Sequence, residues 1–152
     1  MQVLIVLLIV VLDQISKFAA VKYLKGQKPY TIIKNFFQFE YVENYGAAFG
    51  ILQNRKIFFI ITTTLVIVAI TITFVRYSNK FNKPMNIALS MLLGGAIGNF
   101  IDRIRLSYVI DFISVRFGNG YDFPVFNIAD MFIVIGTFLI AIMVTFDIYE
   151  YR

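Results

Sequence analysis

Four stretches of the chain are apolar over close to the roughly 20 residues that a helix needs to cross the hydrocarbon layer of a membrane. The first covers about residues 2–21. From Val3 to Leu12 it carries no polar side chain, and then Asp13, Gln14, Ser16 and Lys17 interrupt it. The second, about 57–75, holds nothing more polar than threonine and stops at Arg76. Asn82, Lys83 and Pro84 break the chain before the third, about 85–103, which runs into Asp102 and Arg103. The fourth, about 128–147, bears Asp130 two residues after its start. A cleaved signal peptide would need a basic start and a small-x-small exit; the first stretch has neither and is expected to remain as a span. Between the first two spans, aromatics alternate with Gln38 and Glu40 from Phe37 to Tyr41, a period of two that predicts a strand with one apolar face. Gly46 and Gly50 punctuate the residues that follow. A second inter-helix region, Leu106 to Phe126, holds the turn signal Gly118-Asn119-Gly120 and the breaker Pro124. Two spans separate these regions, so both lie on one side of the membrane, and the loop from Arg76 to Pro84 lies on the other with the two termini. The pattern predicts a mainly α membrane protein: one domain over residues 1–152, a four-helix bundle with a small sheet at the membrane surface between helices 1 and 2.

Composition strengthens that reading. Hydrophobic residues make up 59% of the 152 and charged ones 15%, against about 45–50% and about 25% in soluble domains. There is no Cys and no His. Disulfides, thiolate and imidazole metal sites, Cys nucleophiles and Ser-His-Asp triads are thereby excluded, and carboxylates must carry any acid–base chemistry. The net charge of +5 comes from scattered Lys and Arg, which fits anionic lipid headgroups better than nucleic acid. Charge does not settle orientation. Arg76, Lys80 and Lys83 crowd the short loop, yet Lys22, Lys25, Lys28, Lys34, Arg55, Lys56, Arg105 and Arg116 stand on the opposite side, and a positive-inside count favours that side as cytoplasmic.

An ionised side chain in the middle of a bilayer costs at least about 2.5–3.5 kcal/mol on insertion scales, so each one faces protein or water and is a functional candidate. Asn99, Asp102 and Arg103 fall at i, i+3 and i+4 near the end of the third span. A structural ion pair between Asp102 and Arg103 is an open reading, and one between Asp13 and Lys17, four apart, is the favoured reading there. Gly94 and Gly98 form a small-x-x-x-small face suited to close helix packing. Asp111 and Asp130 differ. They stand in the apolar runs Val109-Ile110-Asp111-Phe112-Ile113 and Phe126-Asn127-Ile128-Ala129-Asp130-Met131-Phe132, with no Lys or Arg within four residues of either. Two unpaired carboxylates in a low-dielectric site lower their cost by approaching and sharing a proton. Such a pair is an acid and a base together, able to activate water against an amide. A small transporter or a non-catalytic assembly factor would also bury carboxylates in a bundle. The absence of inverted repeats argues against the first, and the isolation of Asp111 and Asp130 against the second.

Five blocks then occur in order: Asp13-Gln14-Ile15-Ser16-Lys17, Asn44-Tyr45-Gly46-Ala47-Ala48-Phe49-Gly50, Gly94-Gly95-Ala96-Ile97-Gly98-Asn99-Phe100-Ile101-Asp102-Arg103, Val109-Ile110-Asp111-Phe112-Ile113 and Phe126-Asn127-Ile128-Ala129-Asp130. With them, the chain resembles the lipoprotein signal peptidase (signal peptidase II) family over essentially its whole length. The resemblance implies an aspartic endopeptidase of the bacterial inner membrane, with both termini cytoplasmic and the sheet forming an extracytoplasmic cradle beside the active site. Such enzymes cut a prolipoprotein before its diacylglyceryl-modified cysteine and are targets of the cyclic peptide globomycin. By motif, Asp111 and Asp130 are expected to be the catalytic pair. Asp13, Lys17 and Asn127 are expected to support the site, and Asn44, Gly46, Asn99, Asp102 and Arg103 to organise the polar network and substrate pocket. No metal or cofactor is implied, and a monomer is expected.

Overall fold

The computed structural model describes residues 1–46, 55–117 and 121–150; Ala47 to Gly50 of the second block and the Gly118-Asn119-Gly120 turn lie outside them. Four helices match the four apolar stretches: α1 (Gln2–Leu24), α2 (Lys56–Tyr77), α3 (Lys83–Leu106) and α4 (Ile128–Thr145). All four are long and apolar enough to cross a membrane. Their ends fall where local chemistry puts them. The Asn82 side chain accepts from the Met85 amide at 3.0 Å, and Pro84 sits in the first turn of α3, where its missing N–H costs nothing. Ser107 takes a left-handed φ of 75° and closes the same helix.

Helix α3 is the axis of the bundle, packed on α1, α2 and α4. Twelve of its residues are buried, whereas α2 buries only Ile70. Close packing depends on small residues. A Cβ on Gly98 would come 2.5 Å from the Asp13 carboxylate of α1, and one on Gly95 would come 2.5 Å from the Ala129 carbonyl of α4. The expected face of Gly94 and Gly98 thus packs on α1, where a Cβ on Gly94 would come 2.9 Å from Ile9, and the neighbouring Gly95 adds a second close approach, to α4. On the exposed α2, four of the five threonine hydroxyls do not need water. Thr62, Thr64, Thr71 and Thr73 each donate to the carbonyl four residues back, at 2.7–2.9 Å, which satisfies them inside an apolar medium.

The sheet has four strands in the order β1 (Tyr30–Ile33), β2 (Phe37–Asn44), β3 (Val109–Phe117) and β4 (Tyr121–Asp122). The sequence pattern placed it between helices 1 and 2 alone; β3 and β4 instead come from the region between α3 and α4. Strand β3 was hidden because six consecutive residues from Val109 to Ser114 are buried, so apolar side chains occupy both faces at adjacent positions and the alternation that marks a strand is lost. β2 also runs beyond Tyr41 to Asn44 and pairs antiparallel with β3, setting Asn44 opposite Val109 and Val42 opposite Asp111. The register shifts between Phe39 and Val42, and a bulge of this kind re-aims the residues that follow it.

Two apolar clusters flank the polar centre. One joins Ile70, Leu89, Leu93 and Met143 of the helices, and the other joins Ala20 of α1 with Ile110, Phe112 and Ile113 of β3. At the opposite end of the molecule the C-terminal segment folds back on the α2–α3 loop. There Asn82 donates from its backbone to the Tyr149 carbonyl and from its side chain to the Ile148 carbonyl.

Candidate active site

The polar residues of the five blocks converge where α1, α3, β3 and α4 meet. Lys17 is buried between two carboxylates, 2.9 Å from Asp13 and 3.0 Å from Asp102. A buried ion pair is tolerable only when its remaining lone pairs are filled, and here they are. Asp13 Oδ1 accepts from the Ala129 amide at 3.0 Å, Asp102 Oδ2 from the Ile110 amide at 3.1 Å, and Gln14 donates to both carboxylates at 3.1 Å. Each of these carboxylates therefore holds the backbone one residue before a candidate catalytic aspartate: Asp102 at Ile110 before Asp111, and Asp13 at Ala129 before Asp130.

The expected pair between Asp13 and Lys17 is present, but the one between Asp102 and Arg103 is not made. Neighbours on a helix project about 100° apart. Asp102 turns inward to Lys17, and Arg103 stacks on the Phe59 ring of α2 at 4.9 Å and lines the cavity described below. Gln14 was missed as a site residue. Its signal was there to read, a third polar residue beside Asp13 and Lys17 inside an apolar span.

Lys17 also orients the next layer. Its ammonium can only donate, so Asn99 presents Oδ1 to it at 2.9 Å and turns its NH₂ to Asp130, donating at 2.7 Å. Asn127 is the N-cap of α4. It accepts from the Asp130 amide at 2.9 Å, and its own backbone N–H donates to Asp130 Oδ2 at 3.2 Å, a reciprocal capping box. The Asn127 NH₂ in turn donates to Asp111 Oδ1 at 2.6 Å, while Asn44, from the end of β2, donates to Asp111 Oδ2 at 2.8 Å. Gly46 follows, its amide donating to Asn44 Oδ1 at 3.0 Å.

Asp111 and Asp130 line one cavity of about 540 Å³ together with Asn44, Gly46, Asn99 and Arg103. Its other walls are apolar, from Phe123 to Phe126 on one side and from Ile133 to Ile135 of α4 on the other. No hydrogen bond joins the two carboxylates directly; Asn127 serves both. Burial, and next the Asp130 charge, push the Asp111 carboxyl up to about 7 against the donated amides of Asn44 and Asn127. Such a group carries or releases a proton near neutrality, as general acid–base work requires. Among the described residues no cluster of His, Cys, Asp and Glu has the makings of a metal site.

Fold and site together define a multi-pass membrane protein with a carboxylate-lined cavity at one end of its helix bundle. A family model described as signal peptidase (SPase) II matches residues 5–146. The chain is 48% identical to a lipoprotein signal peptidase of Caldanaerobacter subterraneus over 96% of its length and 97% of the relative's, and 42% identical to one of Clostridium novyi over 93% and 95%. It also superposes on a bacterial membrane enzyme solved by the in meso method with a TM-score of 0.83, at 37% identity, over 96% of this chain and 88% of the other. The chain belongs to the signal peptidase II family and is a peptidase.

Proposed function

We propose that this peptidase is of the aspartic type and removes signal peptides from bacterial prolipoproteins, cutting before the diacylglyceryl-modified cysteine. The observation that carries the reading is that Asp111 of β3 and Asp130 of α4 line one cavity, each aimed by donated amides. The ionised member of the pair takes a proton from water that attacks the scissile carbonyl; the protonated member polarises that carbonyl and then protonates the leaving amine. Asn99, Asn127 and Asn44 keep both carboxylates in position, and Arg103 offers a charge at the cavity wall.

The apolar walls suit acyl chains, each buried CH₂ contributing about 0.8 kcal/mol. Lipid thereby supplies recognition that a short peptide cannot. In the cell, the protein sits in the inner membrane as a monomer with both termini cytoplasmic and the sheet and cavity on the extracytoplasmic side. A globomycin-type cyclic peptide would compete for the cavity. Incubating the purified protein with diacylglyceryl-modified and unmodified prolipoprotein peptide at matched concentration tests the reading. Cleavage of the modified form, with far slower cleavage of the other, is expected. Equal rates would refute lipid recognition, and cleavage of neither by folded protein would refute the prolipoprotein peptide as its substrate.

A further inference from the structure

At the corner of the sheet nearest the site, Glu43 gathers three donors. Lys25, just beyond the end of α1, reaches Oε1 at 2.9 Å; the Tyr41 hydroxyl donates to the same oxygen at 3.1 Å, and the Tyr45 hydroxyl donates to Oε2 at 2.9 Å. Tyr41 meets the Tyr108 hydroxyl at 3.3 Å, the Tyr45 and Tyr108 rings lie 5.2 Å apart, and Lys25 sits over the Tyr41 ring at 5.1 Å. This one carboxylate therefore ties together the end of α1, the end of β2 and the turn between α3 and β3. It belongs to none of the five blocks, and none of the chemistry above uses it.

Its place in the chain gives it a use. Glu43 immediately precedes Asn44, which donates to Asp111, and Tyr45 immediately precedes Gly46, which lines the cavity. On a strand, neighbours project to opposite faces, so a side chain clamped on one face fixes the angle at which the next residue leaves on the other. We propose that Glu43 is a positioning residue for the peptidase reaction, holding β2 through Lys25, Tyr41 and Tyr45 so that Asn44 stays aimed at Asp111.

The clamp remains charged wherever the enzyme is assayed, because the Lys25 ammonium and the Tyr45 hydroxyl hold the Glu43 carboxyl down to about 2. The groups that titrate or carry charge around Asp111 are Asp130, Lys17 and Arg103. A change in pH profile on mutating Glu43 therefore reports on Asp111 rather than on the clamp. Losing the Asn44 donation withdraws support from the ionised form of Asp111, so the alkaline limb of activity moves to higher pH.

This inference rests on Asp111 being catalytic, so Asp111→Asn is assayed alongside. The test is a double-mutant cycle of Glu43→Ala and Asn44→Ala in the purified full-length protein. Glu43→Ala is expected to lower kcat about tenfold, since small misplacements of catalytic groups carry losses of one to two orders of magnitude. KM should stay within about twofold, because neither Glu43 nor its donors Lys25, Tyr41 and Tyr45 line the cavity. The alkaline limb should shift upward, and the double variant should lose little more than Asn44→Ala alone. Unchanged kcat and pH profile would overturn the proposal. So would losses that add, or a loss accompanied only by a lower melting temperature with the pH limb unmoved. Lys25→Met, which leaves the carboxylate and its tyrosine donors in place, should show the same changes in weaker form and serves if Glu43→Ala does not fold. Turnover by Asp111→Asn at the wild-type rate would instead remove the catalytic reading itself.

Discussion

At the scale of single residues, the account turns on what each buried charge is paired with. Lys17 has two anionic neighbours and is 2% exposed. Lys17→Met leaves Asp13 and Asp102 uncompensated and should cost about 3–5 kcal/mol, read as a large fall in melting temperature in detergent with activity lost alongside. Arg103 behaves differently: its charge lies near Asp102, Asp111 and Asp130, but each of those carboxylates is held by other donors. Arg103→Ala should lower turnover with little change in melting; a collapse in stability would contradict the pairing described above. In the proposed mechanism Asp111 sets the pH behaviour. Its carboxyl is raised from the ordinary 3.8 to about 7, chiefly by burial, so the folded protein keeps a proton that the unfolded chain releases. Its contribution to stability is complete below the ordinary carboxyl range and lost as pH rises through about 7. Activity that needs one protonated carboxylate should decline over the same alkaline window, and a rate that rises steadily through pH 8 to 9 would count against Asp111 as the group that holds the proton. Much of this was legible from sequence: Asp111 and Asp130 stood out because no cation lay near them. The partner of Asp102 was not. Sequence distance favoured the adjacent Arg103, and only the crossing of α1 over α3 brings Lys17 to it.

At the scale of elements, the polar centre can exist only because helices approach closely. Gly98→Ala should put a methyl against the Asp13 carboxylate that Lys17 holds, forcing α1 away from α3 at a cost of about 1–3 kcal/mol. Gly94→Ala meets the Cβ of the buried Ile9 at 2.9 Å, which no rotamer change moves, yet should cost less than Gly98→Ala because it leaves the Asp13–Lys17 ion pair untouched. Melting of the two variants in the same detergent checks the order; equal losses would mean that the Asp13 contact is not what makes position 98 special. All four helices were readable as apolar runs. Strand β3 was not, since a strand buried on both faces loses the alternation that identifies strands. The join of β2 to β3, which carries Asn44 to Asp111, is likewise a long-range pairing that no local pattern encodes. The N-cap at Asn127 did have a local signature, an Asn followed three residues later by an acid at the start of an apolar run.

At the scale of the whole molecule, four spans put the termini and the Arg76 to Pro84 loop on one side and the sheet on the other. Parity was readable from the sequence. Absolute orientation was not, because cations crowd both sides. With no native Cys, single-Cys labelling gives a direct answer: Gln27→Cys should react with an impermeant reagent in intact cells and Asn79→Cys should not, and the reverse pattern would invert the topology. The central claim is that two aspartates from separate elements form one catalytic pair in a cavity that also receives lipid. The measurement that tests it most directly is a gel-shift assay of lipidated prolipoprotein cleavage by wild type, Asp111→Asn and Asp130→Asn, with melting curves of all three. Both variants should remain folded and lose at least about a hundredfold in turnover, since general acid–base groups contribute on that scale. Wild-type turnover by either folded variant would contradict the pair.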